Sequence, residues 1–470
     1  MAKLSDYFAA KTNLYVQSVK GRFRRLKWIL NIIFLTVFFV TPFIRFNRGT
    51  SVSNQAILLD LPGQKAYFFF IEIWPQEVYY FAGILIIAAV ALFFITALFG
   101  RIWCGYACFQ TVWTDIFIAL ERLFMGDRNQ RIILNRHNNW QKFYKTFLTH
   151  CSWIAFSLLT GYGFVCYFND AILLSKNLLS GVISFDVLGW ILGIALSTYI
   201  MAGFAREHVC TYMCPYSRFQ SAMFDAETLI IGYDSKRGEP RKKLTKEQGN
   251  DQTYGDCIDC KQCVVVCPMG IDIRNGLQME CIACGLCIDA CDNIMEKINR
   301  PKGLIRYDTS KHIADPTAKK FRILRPATFY YAAILLAVSV AMLFSLLTKS
   351  TLEIKTISDR NPLFVKLADG SIRNGYTVKV TNKTHDEKHF LLSLSQPQGA
   401  KLKVQNQPCE QYQFSVIADS TVSFKLFVTA TKELFVATSE QVIDLNLQEI
   451  TSSKAEPSMV RKIKLVFASD

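Results

Sequence analysis

No apolar core backed by a small-residue cleavage site stands near the start of this 470-residue sequence. The first 25 or so residues are polar, so no cleavable secretory leader is expected. Acidic residues are scarce, 38 Asp and Glu against 53 Lys and Arg, which leaves a net charge of +15. An excess of this sign can mean a nucleic-acid partner. Here the basic residues crowd between and beside long apolar runs, which the positive-inside rule explains without nucleic acid. From residue 352 onward there is one cysteine, Cys409, so no internal disulfide can hold that segment. The run of cysteines from Cys257 to Cys291 lacks the longer gap that usually separates two zinc knuckles. A disulfide framework there would need an oxidising compartment.

That run holds eight of the fifteen cysteines. Cys257, Cys260, Cys263 and Cys267 are spaced C-x2-C-x2-C-x3-C, and Cys281, Cys284, Cys287 and Cys291 repeat the spacing. Three close-spaced thiolates wrap three corners of a cubane, and the fourth comes from the other half of the motif, as in bacterial two-cluster ferredoxins. The expected ligand sets are therefore Cys257, Cys260, Cys263 and Cys291 for one [4Fe–4S] cluster, and Cys267, Cys281, Cys284 and Cys287 for the other.

The sequence is 51% hydrophobic, with the excess gathered in a few runs. Five read as membrane spans, at about 28–44, 81–99, 147–168, 187–204 and 327–347. Segments 1–27, 101–146 and 205–326 carry 7, 7 and 19 Lys and Arg, against 3 and 1 in segments 45–80 and 169–186. The basic set is expected on the cytoplasmic face of a bacterial inner membrane, with everything after residue 348 in the periplasm. From residue 352, about seven alternating stretches predict an antiparallel β-sandwich of immunoglobulin type. The expected fold is multi-domain. A basic N-terminus (1–27) precedes an α-helical membrane domain (28–235), a ferredoxin segment (236–326), a last span (327–348) and the sandwich (352–470).

A second pattern repeats. Span two runs into Cys104-Gly-Tyr-Ala-Cys108, and span four into Cys210-Thr-Tyr-Met-Cys214. Each is followed by a stretch expected to lie as a helix in the membrane interface, Thr111–Met125 and Ser217–Ile231. A spacing of four puts both thiols of a pair on one helix face. Two such pairs make a sulfur-rich site suited to soft metals, with His208 and Met213 as weaker candidate ligands.

Taken together, Trp103-Cys104-Gly-Tyr-Ala-Cys108, Cys210-Thr-Tyr-Met-Cys214-Pro215-Tyr216, Cys267-Pro268-Met-Gly270-Ile-Asp272 and Gly303-Leu-Ile-Arg306-Tyr307 resemble the cytochrome c oxidase accessory family called CcoG, FixG or RdxA. The resemblance covers nearly the whole chain. It implies a role in assembling cbb(3)-type oxidases, with oxidase subunits or assembly factors as partners, and reduction of Cu(II) to Cu(I). Phe109 departs from the family pattern, which has Pro there, and a looser turn after Cys108 is expected. Asp292 stands where simple ferredoxins often have Pro, with no effect on ligation.

The resulting reading is a cupric reductase. A cytoplasmic electron donor feeds the clusters, and copper is handled by Cys104, Cys108, Cys210 and Cys214. Two rivals use other features: a quinol-linked electron carrier, for which no motif is visible, and a non-redox docking factor acting through the β-domain.

Overall fold

The computed structural model describes residues 14–48, 52–243, 254–318, 321–396, 400–404, 407–409, 411–430, 440–450 and 459–466. Its principal helices are α1 Arg22–Val40, α2 Tyr79–Phe99, α3 Ile102–Tyr106, α4 Phe109–Met125, α5 Trp140–Val165, α6 Phe185–Ile200, α7 Pro215–Met223, α8 Leu286–Lys297 and α9 Pro326–Leu347. Among the described residues, four helical stretches are long and apolar enough to cross a membrane: Arg22–Phe43, Pro75–Phe99, Phe185–Met213 and Pro326–Leu347. The third expected span, 147–168, falls on α5. At 26 residues α5 is long enough to cross, but Thr149, His150, Ser152, Ser157 and Thr160 dilute its apolar run. It packs tightly on α6, where a Cβ on Gly161 would strike the carbonyl of Ile191. Small residues permit this close approach between helices.

The chain divides into two compact units, residues 1–46 with 55–343, and residues 47–54 with 344–470. The ferredoxin segment therefore belongs to the same unit as the helices. Its join lies upstream of residue 236, because strand β4 (Leu229–Tyr233) pairs antiparallel with β5 (Ile305–Thr309). The expected helix over Ser217–Ile231 is thus cut short. α7 ends at Met223, and Leu-Ile-Ile of β4, poor in helix formers and rich in β-branched residues, takes the extended form. Three further short strands, β1 Ile57–Asp60, β2 Lys65–Phe68 and β3 Ile71–Ile73, form a sheet in the loop before α2.

The N-terminal basic stretch is more than a flank. α1 begins at Arg22, six residues before the expected start of its span, and Lys27 is 1% exposed. Lys27 Nζ and Arg24 Nη1 both reach Asp115 Oδ2 of α4, at 3.2 and 3.0 Å, and Asn31 Nδ2 donates to the same oxygen at 3.2 Å. Burial alone would raise the Asp115 pKa; Lys27 and Arg24 overcome that and hold it below the ordinary carboxylate value. Asp289 of α8 accepts from the backbone N–H groups of Phe23 and Arg24, at 3.3 and 2.8 Å, and so caps α1 from the ferredoxin side.

The second unit is a two-sheet sandwich. One sheet has the order β11-β10-β13-β8-β6 and the other β12-β9-β14-β15. These are β6 Leu352–Ser358, β8 Ile372–Asn382, β9 Lys388–Gln396, β10 Ala400–Val404, β11 Gln407–Cys409, β12 Gln411–Val416, β13 Ser420–Ala430, β14 Glu440–Glu449 and β15 Met459–Val466, with the short β7 Val365–Lys366 beside β8. All seven expected strands are present; the extra ones are β7, β10 and β11. Val378, Val380, Phe390, Leu392, Leu426, Val428, Leu445 and Leu447 alternate inward and are almost wholly buried. Each such side chain contributes on the order of 1.5–3 kcal/mol by leaving water.

Candidate functional site

The eight ferredoxin cysteines separate into two groups in space. Cys291, on α8, stands within electrostatic reach of Cys257, Cys260 and Cys263. Cys267, although it ends the first motif, lines one small cavity with Cys281, Cys284 and Cys287. Cys267 and Cys291 are thus each placed near cysteines of the other motif. Cys263, at the border, also lines that cavity. Burial raises the thiols strongly: Cys263, Cys281 and Cys291 are pushed up to about 12 and Cys267 to about 11. Buried thiols grouped in this way are a poor apolar core, but they suit a metal centre, whose positive charge would stabilise them as thiolates. The fourteen cysteines whose side chains are described are all free. Both groups therefore fit iron–sulfur ligation by donor type and by number.

The repeated Cys-x-Tyr-x-Cys motifs form a structural repeat. In each, the first cysteine sits in a helical segment and the second caps the next helix. Cys104 lies in α3 and Cys108 precedes α4; Cys210 lies in a π-helical turn, Val209–Met213, and Cys214 precedes α7. The two thiols of a pair are thus carried by a helix–turn–helix corner and not by one helix face. Cys108 and Cys214 share an extended backbone, at φ −64°, ψ 128° and φ −78°, ψ 112°. The turn after Cys108 keeps this shape with Phe109 in place of Pro. The first helical N–H has no intrahelical partner in any case, so Pro there is favourable but not required.

The two corners converge. The Cys104 thiol feels Cys108 and Cys214, and Cys210 lies within electrostatic reach of Cys104, Cys108 and Cys214. Burial, with Cys108 next, pushes Cys104 up to about 11, while its S–H donates to Gln220 Oε1 at 3.4 Å. Burial also raises Cys108. The weaker candidates are placed differently. His208 stacks on Tyr212 with centroids 5.8 Å apart, and Met213 is 58% exposed.

The four-thiol corner rests on the ferredoxin core. Cys104 and Cys210 pack against the same apolar cluster as Cys267, Cys281 and Cys284, which includes Val266, Met269 and Ile282. Tyr106 Oη donates to the carbonyl of Cys284 at 2.9 Å. A Cβ on Gly105 would stand 2.5 Å from Ile282 O, so only glycine permits this approach. Buried Arg101 bonds the carbonyls of Met279 and Ser217 and feels Cys104, Cys210 and Cys281. Its positive charge is thus felt by thiols of both sulfur groups. Sequence reasoning passed over Arg101; its position just after α2 and three residues before Cys104 is the only local signal.

Leading into and through the second corner, residues Met201–Ala205 and Val209–Met213 are π-helical, and Arg206 between them takes φ +25°. Such a conformation costs on the order of 1–3 kcal/mol. It is held by Arg206 Nη2 on Glu121 at 3.1 Å and Arg206 Nε on Gly203 O at 2.8 Å. π-Helical turns frequently mark functional sites.

Comparison with known proteins supplies three family matches. Residues 205–310 match a 4Fe-4S dicluster domain, residues 81–125 a 4Fe-4S binding domain, and residues 342–468 the Ig-like fold at the C-terminus of FixG. The second match spans Cys104 and Cys108. The chain is 39% identical to the nitrogen fixation protein FixG of Rhizobium meliloti, covering 92% of this chain and 89% of that one. It is 40% identical to protein RdxA of Cereibacter sphaeroides, covering 98% of each, and 40% identical to RdxB of the same organism, covering 94% of each.

Proposed function

Because the chain belongs to the FixG/RdxA family of iron–sulfur membrane proteins, we propose that it is a cupric reductase, taking single electrons from a cytoplasmic donor and reducing Cu(II) to Cu(I) for assembly of a cbb(3)-type oxidase. In this reading Cys257, Cys260, Cys263 and Cys291 hold one [4Fe–4S] cluster, and Cys267, Cys281, Cys284 and Cys287 the other. Such clusters supply one-electron transfer when bound. Copper is the substrate of Cys104, Cys108, Cys210 and Cys214. Each Cu(II) takes one electron, and the donor loses one. The product Cu(I) is held better by soft thiolates than the starting ion is.

One observation carries the reading: Cys104 and Cys210 rest on the same apolar cluster as Cys267, Cys281 and Cys284. A redox module and a soft-metal donor set share one wall. Gly105 allows that wall to close, Tyr106 ties it to the Cys284 loop, and Arg101 offsets the repulsion among thiolates on both sides. In the same reading the basic segments 1–27, 101–146 and 205–326 face the cytoplasm of the inner membrane. The sandwich faces the periplasm, where it meets oxidase subunits or assembly factors.

The test uses anaerobically purified full-length protein, reduced with dithionite and freed of excess reductant. On mixing with Cu(II), bleaching of the iron–sulfur absorption should match Cu(I) trapped by a chelator, one electron per copper. Replacing Cys104, Cys108, Cys210 and Cys214 by Ser should slow this strongly while leaving iron content unchanged. An unchanged rate would remove the thiols from the reaction.

A further inference from the structure

A cavity of about 380 Å³ lies among the helices, lined among others by Phe38 of α1, Phe109, Gln110 and Trp113 of α4, Phe164 of α5 and Ser197 of α6. Its size is that of a pocket for a small organic ring. Its wall is largely aromatic and aliphatic. Phe109, at 69% exposure, and Phe164 stand on its outer side, and Ser197 is exposed on α6. α1 and α6 belong to helices apolar enough to cross a membrane, so the cavity opens where lipid would be. A ligand reaching it comes from the bilayer.

Its polar groups are few and specifically disposed. Gln110 is only 5% exposed. Its Nε2 is committed to main-chain oxygens, Met201 O at 2.9 Å and Arg206 O at 3.4 Å, and to Thr114 Oγ1 at 3.3 Å. Gln110 Oε1 accepts no hydrogen bond among the described residues. Among the described residues the Ser197 hydroxyl has only the Met201 thioether, at 3.8 Å, as acceptor. Trp113 Nε1 and the Thr160 hydroxyl satisfy each other at 2.9 Å, and Thr160 donates onward to Phe156 O at 2.9 Å. The cavity thus offers one strong acceptor and one poorly used donor in an otherwise apolar, ring-lined space.

We propose that this cavity binds the ring of an isoprenoid quinone, in its reduced quinol form as a second, membrane-borne electron source beside the cytoplasmic donor. A quinol O–H donates to Gln110 Oε1, and Ser197 Oγ–H donates to a ring oxygen. The aromatic walls hold the ring, and the isoprenoid tail leaves between Phe109 and Phe164 into lipid. An acyl chain would use neither polar group. The site adjoins the thiol corner through consecutive residues, since Cys108 immediately precedes Phe109. Coupled to the proposed copper reduction, on which this step rests, the balance is one quinol and two Cu(II) to one quinone, two Cu(I) and two protons. Both O–H bonds break, each copper takes one electron, and the protons go to water. The binding itself does not depend on copper.

The experiment uses full-length protein in nanodiscs made of quinone-free lipid. Decylubiquinone is titrated against the intrinsic tryptophan fluorescence, and a photoreactive azido-ubiquinone maps the site. Saturable quenching is expected, with label on peptides around 109–113 and 197–202. Gln110→Leu should weaken binding about tenfold, the scale of one lost hydrogen bond in a dry site. Ser197→Ala, at an exposed position that tolerates the change, should weaken it several-fold. Absence of saturable quenching, label elsewhere, affinity unchanged in both variants, or equal labelling by a photoreactive phospholipid would each overturn the proposal. Dithionite-driven copper reduction by the wild type, run in parallel, tests the copper reading separately. Quinone binding without copper reduction leaves this site standing, and copper reduction without quinone binding removes it.

Discussion

Tyr106 donates its hydroxyl hydrogen to the main-chain oxygen of Cys284 at 2.9 Å. The tyrosine stands between the two cysteines of the first repeated motif, and Cys284 stands inside the second ferredoxin motif, 178 residues away. Tyr106→Phe keeps the ring and removes the bond. A loss of about 0.5–1.5 kcal/mol is expected, read as a small drop in thermal stability. The electron paramagnetic resonance signal of the cluster assigned to Cys284 should shift, while the other signal stays.

Gly105→Ala should be the harsher change. Its Cβ would stand 2.5 Å from Ile282 O and 3.0 Å from Cys284 Cα, so the corner and the ferredoxin loop must separate. The expected cost is about 1–3 kcal/mol, the scale of overpacking. A thermal melt of the purified protein measures it, and Gly105→Ala should melt below Tyr106→Phe.

Cys267 offers a test of the crossed grouping. By sequence it closes the first motif, but by position it shares a cavity with Cys281, Cys284 and Cys287. Cys267→Ala should disturb the cluster of the second motif and leave that of Cys257, Cys260 and Cys263 intact. Iron content should fall from about eight toward about four per chain, and the surviving resonance signal should be the one that Cys291→Ala abolishes.

Asp115 sets a pH dependence. Its carboxyl is held below its ordinary value by Lys27 and Arg24 against the effect of burial. The stability it contributes is therefore complete above the unfolded carboxylate pKa, about 4, and is lost as pH falls through the lower folded value. The wild type should lose stability below about pH 4. Asp115→Asn should be less stable at neutral pH by about 3–5 kcal/mol, because two buried cations lose their counter-charge. Its acid slope should be shallower. Thermal melts at a series of pH values read both effects.

In the sandwich, Leu392→Ala removes a fully buried side chain from the inner face of β9. A loss of about 2–5 kcal/mol is expected. Calorimetry on the full chain should show the second unit's transition moving down while the iron–sulfur absorption melts as before.

How much of this was legible in the sequence follows from the range of each interaction. The cluster motifs could be read because thiolate ligation fixes cysteine spacing within a few residues. Seven of the strands could be read because alternation is local; β10 and β11, with five and three residues, are too short to show it. The union of Asp115 with Arg24 and Lys27 left no trace, since its partners are far apart in the chain and a lysine before an apolar run looks like any membrane flank. Ser217–Ile231 kept a helical composition at its start, and pairing of β4 with β5, more than 70 residues away, decided its second half. The cavity beside Phe109 has no motif, because its walls come from four helices and the free Oε1 of Gln110 becomes visible only when that residue's bonds are traced.

The pairing of Asp115 also has a history in time. Arg24 and Asp115 lie 91 residues apart, so during synthesis the two cations of α1 precede their counter-charge by on the order of 5–20 seconds. Through that interval they are bare, and bare cations beside an apolar run bias which way a nascent helix enters the bilayer. Once α4 is made, its single carboxylate offsets half of that charge. Inverting α1 afterwards would tear Lys27 and Arg24 from the Asp115 oxygen that both reach. Once joined, the ion pair would thus act as a latch on α1.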